Sequence, residues 1–187
     1  LRQISENGVA TALKNIEDAT LSDNFWEVFI PQQLSYTSTN NPAYLVFLAA
    51  QVYFNDISLL SQNICVKELI ELGGDVHHIF PKQYLKDNDF GKSEYNQEGN
   101  YAYLDRPVNV SIGKQSPMDY FRAAREQCET KVVKCGSITN IDELYRNMEM
   151  NCIPKEIFEM DCTRYSEFLE KRRVMMAEKI KRYYYSL

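Results

Sequence analysis

Histidine is scarce in this chain: the 187 residues include two, and they are adjacent, at His77 and His78. Any function that depends on an imidazole must therefore use this pair. The pair lies between a Gly73-Gly74 break and Pro81, in a run of residues that favour strands. Neighbouring residues of a strand point to opposite faces, so the two rings are expected to serve different purposes.

Other absences limit the class of protein. The longest apolar run, residues 44–54, is interrupted by Gln51 and is too short to span a bilayer. The first residues lack the apolar segment of a signal peptide, and the five cysteines include no C-x-x-C pair. We therefore expect a cytoplasmic protein with reduced thiols and no membrane association; a structural zinc site is the alternative.

The formal net charge of −5 argues against a protein that coats nucleic acid without specificity, although it leaves room for a local basic groove. The chain contains no G-x-x-x-x-G-K-[ST] phosphate-binding loop. Because it does not begin with methionine, we expect it to be a C-terminal fragment of a longer protein.

The chain before the histidine pair is expected to be mostly helical. Residues 2–19 carry apolar side chains at loose helical spacing, and residues 25–30 form a short amphipathic turn. Residues 32–41 are polar and predict a loop. Asn41-Pro42 then starts a helix whose apolar residues lie on more than one face, which is typical of a buried helix.

After the pair, the pattern predicts a long loop over residues 83–99, a strand at 100–104, then Asn109, and a helix from Ser116-Pro117. Three further helices are expected in the tail, at 141–150, after Pro154, and from about residue 163. The fold class is therefore α+β and mostly helical. Its expected parts are an N-terminal helical block (1–72), a small core with strands (73–125) and a C-terminal helical block (126–187), together forming one compact unit.

This order of elements resembles the ββα-metal motif of HNH (His-Me finger) nucleases. More closely, the chain is similar to the C-terminal nuclease region of GmrSD-type modification-dependent restriction endonucleases. The matching segments are residues 75–82 (DVHHIFPK), 99–104 with Asn109, and 112–121, with echoes at 151–154 and 168–173. The resemblance implies that residues 73–125 form an HNH core embedded between the two helical blocks.

The resemblance also implies roles for single residues. His78 would be the general base, and Asn100 would brace the loop that orients it, with Asn96 as a nearby competitor for that role. His77 and Asn109 would be metal ligands. Asp75 would be either a further ligand or a hydrogen-bond partner of one. Three basic residues are candidate phosphate contacts: Lys82, Arg106 and Lys114.

Many such sites carry aspartate where this chain has His77. A neutral nitrogen ligand makes a site more tolerant of softer metals, whereas Mg²⁺ prefers oxygen ligands. One divalent ion is therefore expected, Mg²⁺ or Mn²⁺ in the first place, with Ni²⁺ or Zn²⁺ as alternatives.

The function implied is hydrolysis of DNA phosphodiester bonds, as the cleavage part of a restriction (phage defence) system. The implied partners are DNA, with or without modified bases, and an N-terminal NTP-using half in the same or a partner protein. A different hypothesis is a degenerate core that serves as a non-catalytic DNA- or protein-binding scaffold. Two narrower alternatives also stay open: Asn109 as a helix cap, and the basic run 171–173 as either a DNA contact or a solvated helix face.

Overall fold

The computed structural model describes residues 2–74 and 76–187, with side chains described from residue 8 onwards. Over these residues it is α+β and mostly helical, with 64% helix and a two-stranded sheet, which confirms the coarse class but not the ββα-metal core. Asp75, predicted as a ligand or as the partner of one, lies outside the described residues.

The N-terminal region is helical, as expected. Helix α1 (Arg2–Thr20) is broken at Gly8, where φ is +77°, a value that glycine adopts without strain. Its apolar stripe is exposed: Val9, Leu13 and Ile16 each keep more than half of their surface in contact with solvent. A π-helical turn (Phe25–Phe29) leads directly into α2 (Ile30–Gln33).

Local capping signals account for several helix boundaries. Helix α3 (Pro42–Tyr53) begins where predicted, because the Asn41 side chain accepts a hydrogen bond from the backbone N–H of Ala43. The apolar run continues to residue 60 in the sequence, but α3 ends at Tyr53. Helix α4 (Val66–Glu71) follows.

The two strands form an antiparallel hairpin whose connection is not the long loop that the sequence predicted. Strand β1 (Val76–His78) pairs with β2 (Tyr101–Tyr103). Between them lie two short helices, α5 (Lys82–Asp87) and α6 (Lys92–Tyr95), and a 3₁₀ turn (Glu98–Asn100).

Helices make up most of the chain after the hairpin. The α-helices are α7 (Arg106–Ile112), α8 (Pro117–Thr130), α9 (Ile141–Met150) and α10 (Tyr165–Tyr184). Two 3₁₀ turns, Lys155–Glu159 and Cys162–Arg164, precede α10. The cap predicted at Asn140 is confirmed, since its side-chain oxygen accepts from the N–H groups of Asp142 and Glu143.

The hairpin lies between two hydrophobic clusters. Ala102 of β2 packs into the larger cluster, together with residues of α7, α8 and α9. Tyr101 and Val76 pack into the smaller cluster, formed mainly by the N-terminal helices and the second half of α10. Helix α10 contributes to both clusters, so it joins the N-terminal region to the rest of the fold.

Candidate nuclease active site

The strand register places the two histidines on opposite faces of the hairpin. The paired residues run continuously: Val76 with Tyr103, His77 with Ala102, and His78 with Tyr101. His78 therefore shares a face with Tyr101, and His77 shares the other face with Ala102. Both histidines are half-buried.

His78 is held by two aromatic rings and one amide. Its ring centroid lies 5.1 Å from that of Tyr101 and 6.3 Å from that of Tyr95, with both pairs close to edge-on. Its Nε2 atom lies 3.0 Å from Oδ1 of Asn96. With Nε2–H donating to this amide oxygen, Nδ1 of the neutral ring is left with a lone pair. This is the tautomer that a general base acting through Nδ1 needs.

The surroundings of His78 also favour its neutral form. Burial lowers the pKa of the imidazole, and electrostatic interaction with Lys82 and His77 lowers it further, while the hydrogen bond with Asn96 acts in the opposite direction. The ordinary pKa of histidine is about 6.5. His78 is therefore neutral at pH 7 and able to accept a proton.

Asn100 is fully buried and braces the segment that follows β1. Its side chain accepts a hydrogen bond from the N–H of Phe80 (2.8 Å) and donates to the carbonyl oxygens of Phe80 (3.1 Å) and Tyr95 (3.2 Å). Its own carbonyl accepts from the N–H of Ile79 (2.8 Å). Asn100 thus braces the connection between the strands, but the residue that contacts His78 is Asn96, the competitor considered from the sequence.

Asn100 restrains the backbone of Asn96, and Asn96 in turn contacts His78. Asn100 fixes the carbonyl of Tyr95, and Asn96 is the next residue in the chain, so the brace holds the backbone that presents the Asn96 amide to His78. The hydroxyl of Tyr120 on α8 adds a further restraint by donating to the carbonyl of Ile79 (2.8 Å). The position of His78 therefore depends on contacts that are widely separated in sequence.

Arg172 is a structural residue of this region that the sequence analysis missed. Its side chain is 1% exposed, and its guanidinium donates to the carbonyls of Gly99 (2.9 Å) and Asn151 (3.3 Å). Burial lowers the pKa of this guanidinium. The contact with Gly99 fixes the backbone immediately before Asn100. The apolar spacing of α10 could have indicated this role, since Arg172 follows Phe168 by four residues on the buried stripe.

The basic run 171–173 was predicted to be either a DNA contact or a solvated helix face. Arg172 is neither, because its side chain is buried. Arg173 is half-buried and donates to the side-chain oxygen of Gln97 (3.1 Å). Lys171 forms surface ion pairs with Glu156 (2.6 Å) and Glu167 (3.1 Å). Arg172 and Arg173 therefore contact the segment before β2, and Lys171 pairs with carboxylates at the surface.

Asn109 lies inside α7, so the interpretation of Asn109 as a helix cap is wrong. The cap is Asp105, whose carboxylate accepts a hydrogen bond from the N–H of Val108 (2.9 Å). Val108 belongs to the same cluster as Ala102, the cross-strand partner of His77. The same large cluster thus includes residues of α7 and of the hairpin face that carries His77, and Asn109 of α7 is half-buried.

The candidate metal donors are an imidazole nitrogen from His77 and an amide oxygen from Asn109. Within residues 2–74 and 76–187, no group of three or more His, Cys, Asp or Glu side chains could hold a metal ion. A site with one imidazole and one amide does not require such a group, and the two donor types suit Mn²⁺ or Mg²⁺ with open positions for oxygen ligands. The metal site expected at His77 and Asn109 therefore stays a prediction.

The predicted phosphate contacts are all exposed, but they differ in their relation to His78. The amines of Lys82 and Lys86 on α5 lie 5.5 Å and 5.7 Å from the ring centroid of Tyr95, which neighbours His78. Arg106 begins α7, and Lys114 follows that helix. Two other arginines of α8 contact Phe158 instead: Arg122 donates to its carbonyl, and Arg125 lies over its ring.

The 3₁₀ turn before β2 contains a buried carboxyl group, that of Glu98. Glu98 is fully buried; one of its oxygens accepts from the Asn41 amide (2.8 Å), and within the described part of the chain its other oxygen has no hydrogen-bond partner. Burial raises the pKa of Glu98 to about 7, although the hydrogen bond from Asn41 and the charge of Arg173 oppose this change.

Comparison with known proteins adds no relative to this geometry. Neither a protein-family model, nor a curated protein, nor a solved structure matches the chain. The likeness to HNH nucleases therefore rests on the residues quoted above and stays a prediction. No helix among the described residues is both long and apolar enough to cross a membrane.

Proposed function

We propose that this chain is an HNH-type, metal-dependent endonuclease that hydrolyses DNA phosphodiester bonds. The observation that carries the proposal is the hydrogen bond between Nε2 of His78 and Asn96, which leaves Nδ1 of a neutral imidazole free to accept a proton. The chain order supports it as well: an antiparallel hairpin bears the histidines, and the helix that follows bears Asn109.

The chemistry assigned to the protein begins with His78. Its Nδ1 atom takes a proton from a water molecule as that water attacks the phosphorus atom, and the ring becomes an imidazolium. The Asn96 oxygen stabilises this cation because it accepts a hydrogen bond from Nε2–H throughout. Since burial lowers the pKa of His78, the ring starts in its neutral form at pH 7.

His77 and Asn109 would hold the divalent ion, with Asp75 as a third candidate. A bound divalent ion polarises the phosphate and stabilises the departing oxygen. His77 lies on β1 and Asn109 on α7. Because His77 and His78 lie on opposite faces of the hairpin, the reacting phosphate would have to lie at the edge of the hairpin to meet both the ion and His78.

Basic residues would hold the DNA backbone next to the reacting phosphate. Lys82 and Lys86 share the ring of Tyr95, and Tyr95 is adjacent to His78, so their amines are suited to the phosphates that flank the cleaved bond. Arg106 and Lys114 would serve the same purpose beside α7. The overall charge of −5 agrees with weak binding by this chain alone, helped by a partner.

The biological setting proposed is cleavage in a modification-dependent restriction system, and it rests on the sequence resemblance. An NTP-using half, in the same protein or a partner, would recognise the modified DNA, since this chain has no phosphate-binding loop. This chain would supply the cleavage site.

The experiment is a plasmid-nicking assay with Mg²⁺, Mn²⁺, Ni²⁺ and Zn²⁺ in turn, on modified and unmodified DNA, with calorimetric titration of each metal. We expect His78→Ala to bind metal and lose cleavage, and His77→Ala to bind metal more weakly. Cleavage by His78→Ala would refute the assignment of the base. A wild-type protein that neither binds metal nor nicks DNA would instead favour the non-catalytic scaffold.

A further inference from the structure

The segment between α2 and α3 presents an uncharged, hydroxyl-rich surface that the proposed mechanism does not use. We call residues 35–40 the hydroxyl loop; all six are exposed, and they comprise Ser35, Tyr36, Thr37, Ser38, Thr39 and Asn40. None of them carries a charge. Tyr36 keeps 54% of its surface exposed to solvent, so a ligand can reach its ring.

The backbone of the hydroxyl loop is fixed to the strand segment that carries the site. The carbonyl of Tyr36 accepts from the N–H of Glu98 (2.9 Å), and the carbonyl of Thr37 accepts from the hydroxyl of Tyr101 (3.1 Å). At the end of the loop, the amide of Asn41 donates to the Glu98 carboxyl group (2.8 Å). The loop is therefore anchored at three points, and its side chains are exposed. Two of its hydroxyl groups also form local hydrogen bonds: that of Ser35 donates to the carbonyl of Gln32 (2.7 Å), and that of Ser38 accepts from the N–H of Asn40 (3.3 Å).

These contacts place the loop beside His78. The ring of Tyr101 lies 5.1 Å from the His78 ring, and its hydroxyl reaches the carbonyl of Thr37. One tyrosine side chain thus connects the candidate base to the loop. The neighbouring Tyr95 connects the same histidine to Lys82 and Lys86.

The chemistry of the two surfaces is different. The amines on α5 suit phosphates, which carry the negative charge of DNA. An uncharged surface with hydroxyl and amide groups has no such attraction and suits the edges of bases instead. An exposed tyrosine ring suits the flat face of a base, and that face is accessible only when the base is unstacked from a neighbour.

We propose that the hydroxyl loop is the base-contacting part of the nuclease site, with Tyr36 stacking on an unstacked base next to the cleaved phosphate. This inference rests on the proposed nuclease function. It assigns the substrate as DNA with a locally unpaired or extruded base, and it separates the residues that hold the backbone from those that meet the bases.

The test compares wild-type protein with Tyr36→Ala and Tyr36→Phe on two oligonucleotides of one sequence, a continuous duplex and a duplex with a short single-stranded gap. Cleavage is followed with Mn²⁺, and binding is followed by fluorescence anisotropy. We expect wild-type protein to favour the gapped DNA, and Tyr36→Ala to raise Kd and KM for it by about tenfold. Tyr36→Phe should restore most of this loss because the ring is retained.

Tyr185→Ala is the matched control, since Tyr185 is exposed to a similar degree but packs beside Trp26. If wild-type protein and Tyr185→Ala cut DNA, His78→Ala does not, and Tyr36→Ala binds and cuts like the wild type, the nuclease stands and the base contact is overturned. If wild-type protein cuts neither DNA, the proposed function fails, and this inference fails with it.

Discussion

Replacing Arg172 with methionine should destabilise the fold more than any change of its neighbour Lys171. Methionine keeps most of the side-chain volume but removes the donors that serve Gly99 and Asn151. Both carbonyls would then be buried without a partner. Because Gly99 precedes Asn100, the loss also loosens the segment that positions Asn96 beside His78.

A buried carbonyl that loses its partner costs about 1–3 kcal/mol, so two such groups cost about 2–6 kcal/mol. Relief from burying the guanidinium offsets part of this loss, and the net decrease in the free energy of unfolding should be about 2–4 kcal/mol. For a chain of this size, Tm should then fall by about 4–16 °C.

Urea unfolding followed by the fluorescence of Trp26, the one tryptophan in the chain, measures this effect. Lys171→Met is the control on the same helix, since its surface ion pairs should contribute less than about 1 kcal/mol. An Arg172→Met protein within 1 kcal/mol of wild type would refute the idea that Arg172 holds the site segment in place.

Three further predictions concern the site itself. Asn96→Ala should lower kcat for cleavage by about 10–100-fold, part of the ~10²–10⁴-fold that a positioned base contributes; an unchanged kcat would exclude Asn96 as the residue that orients His78. In wild-type protein, the acid limb of kcat/KM should have its midpoint below pH 6.5, because burial lowers the pKa of His78, and a midpoint above pH 7 would contradict this. Finally, Glu98→Gln should stabilise the fold by about 1–3 kcal/mol at pH 8 in urea unfolding. In the wild type, the unfolded carboxyl ionises near pH 4.5 while the folded one, with its pKa raised to about 7, stays neutral. Stability should therefore fall as the pH rises from about 4.5 to 7 and change little above that, and a constant difference between the two proteins at all pH values would count against the assignment.

Local signals allowed much of the helical structure to be predicted. Asn41-Pro42, Ser116-Pro117 and Asn140 each combine a capping side chain with a residue that favours the first turn, and each begins a helix. The run of strand-favouring residues around the histidine pair likewise predicted a strand. These features depend on neighbouring residues in the sequence, so they can be recognised without knowledge of the fold.

Short elements were missed because they are too short to show a period. Helices α5 and α6 have six and four residues, and their stretch was predicted to be a loop.

The apolar stripe of α1 predicted a helix correctly but did not indicate that the stripe would remain exposed. Periodicity identifies a helix and its apolar face, but not what that face contacts.

Long-range contacts at the site could not be predicted from spacing. Asn96 and Asn100 both follow the histidines by about twenty residues, so spacing alone did not show which of them contacts His78. The hydrogen bond to Asn96 depends on how the chain after α6 turns back towards β1. Arg172 contacts Gly99 across 73 positions of the chain, so its burial follows from tertiary packing. In both cases the contact partner depends on tertiary packing and could not be predicted from the sequence.

The most direct test of the central claim is plasmid nicking by wild-type protein and His78→Ala, both first shown by calorimetry to bind the same divalent metal. The account predicts nicking by wild-type protein and a loss of at least about a hundredfold in His78→Ala, with metal binding retained. Equal nicking by the two proteins would contradict the claim that His78 is the base.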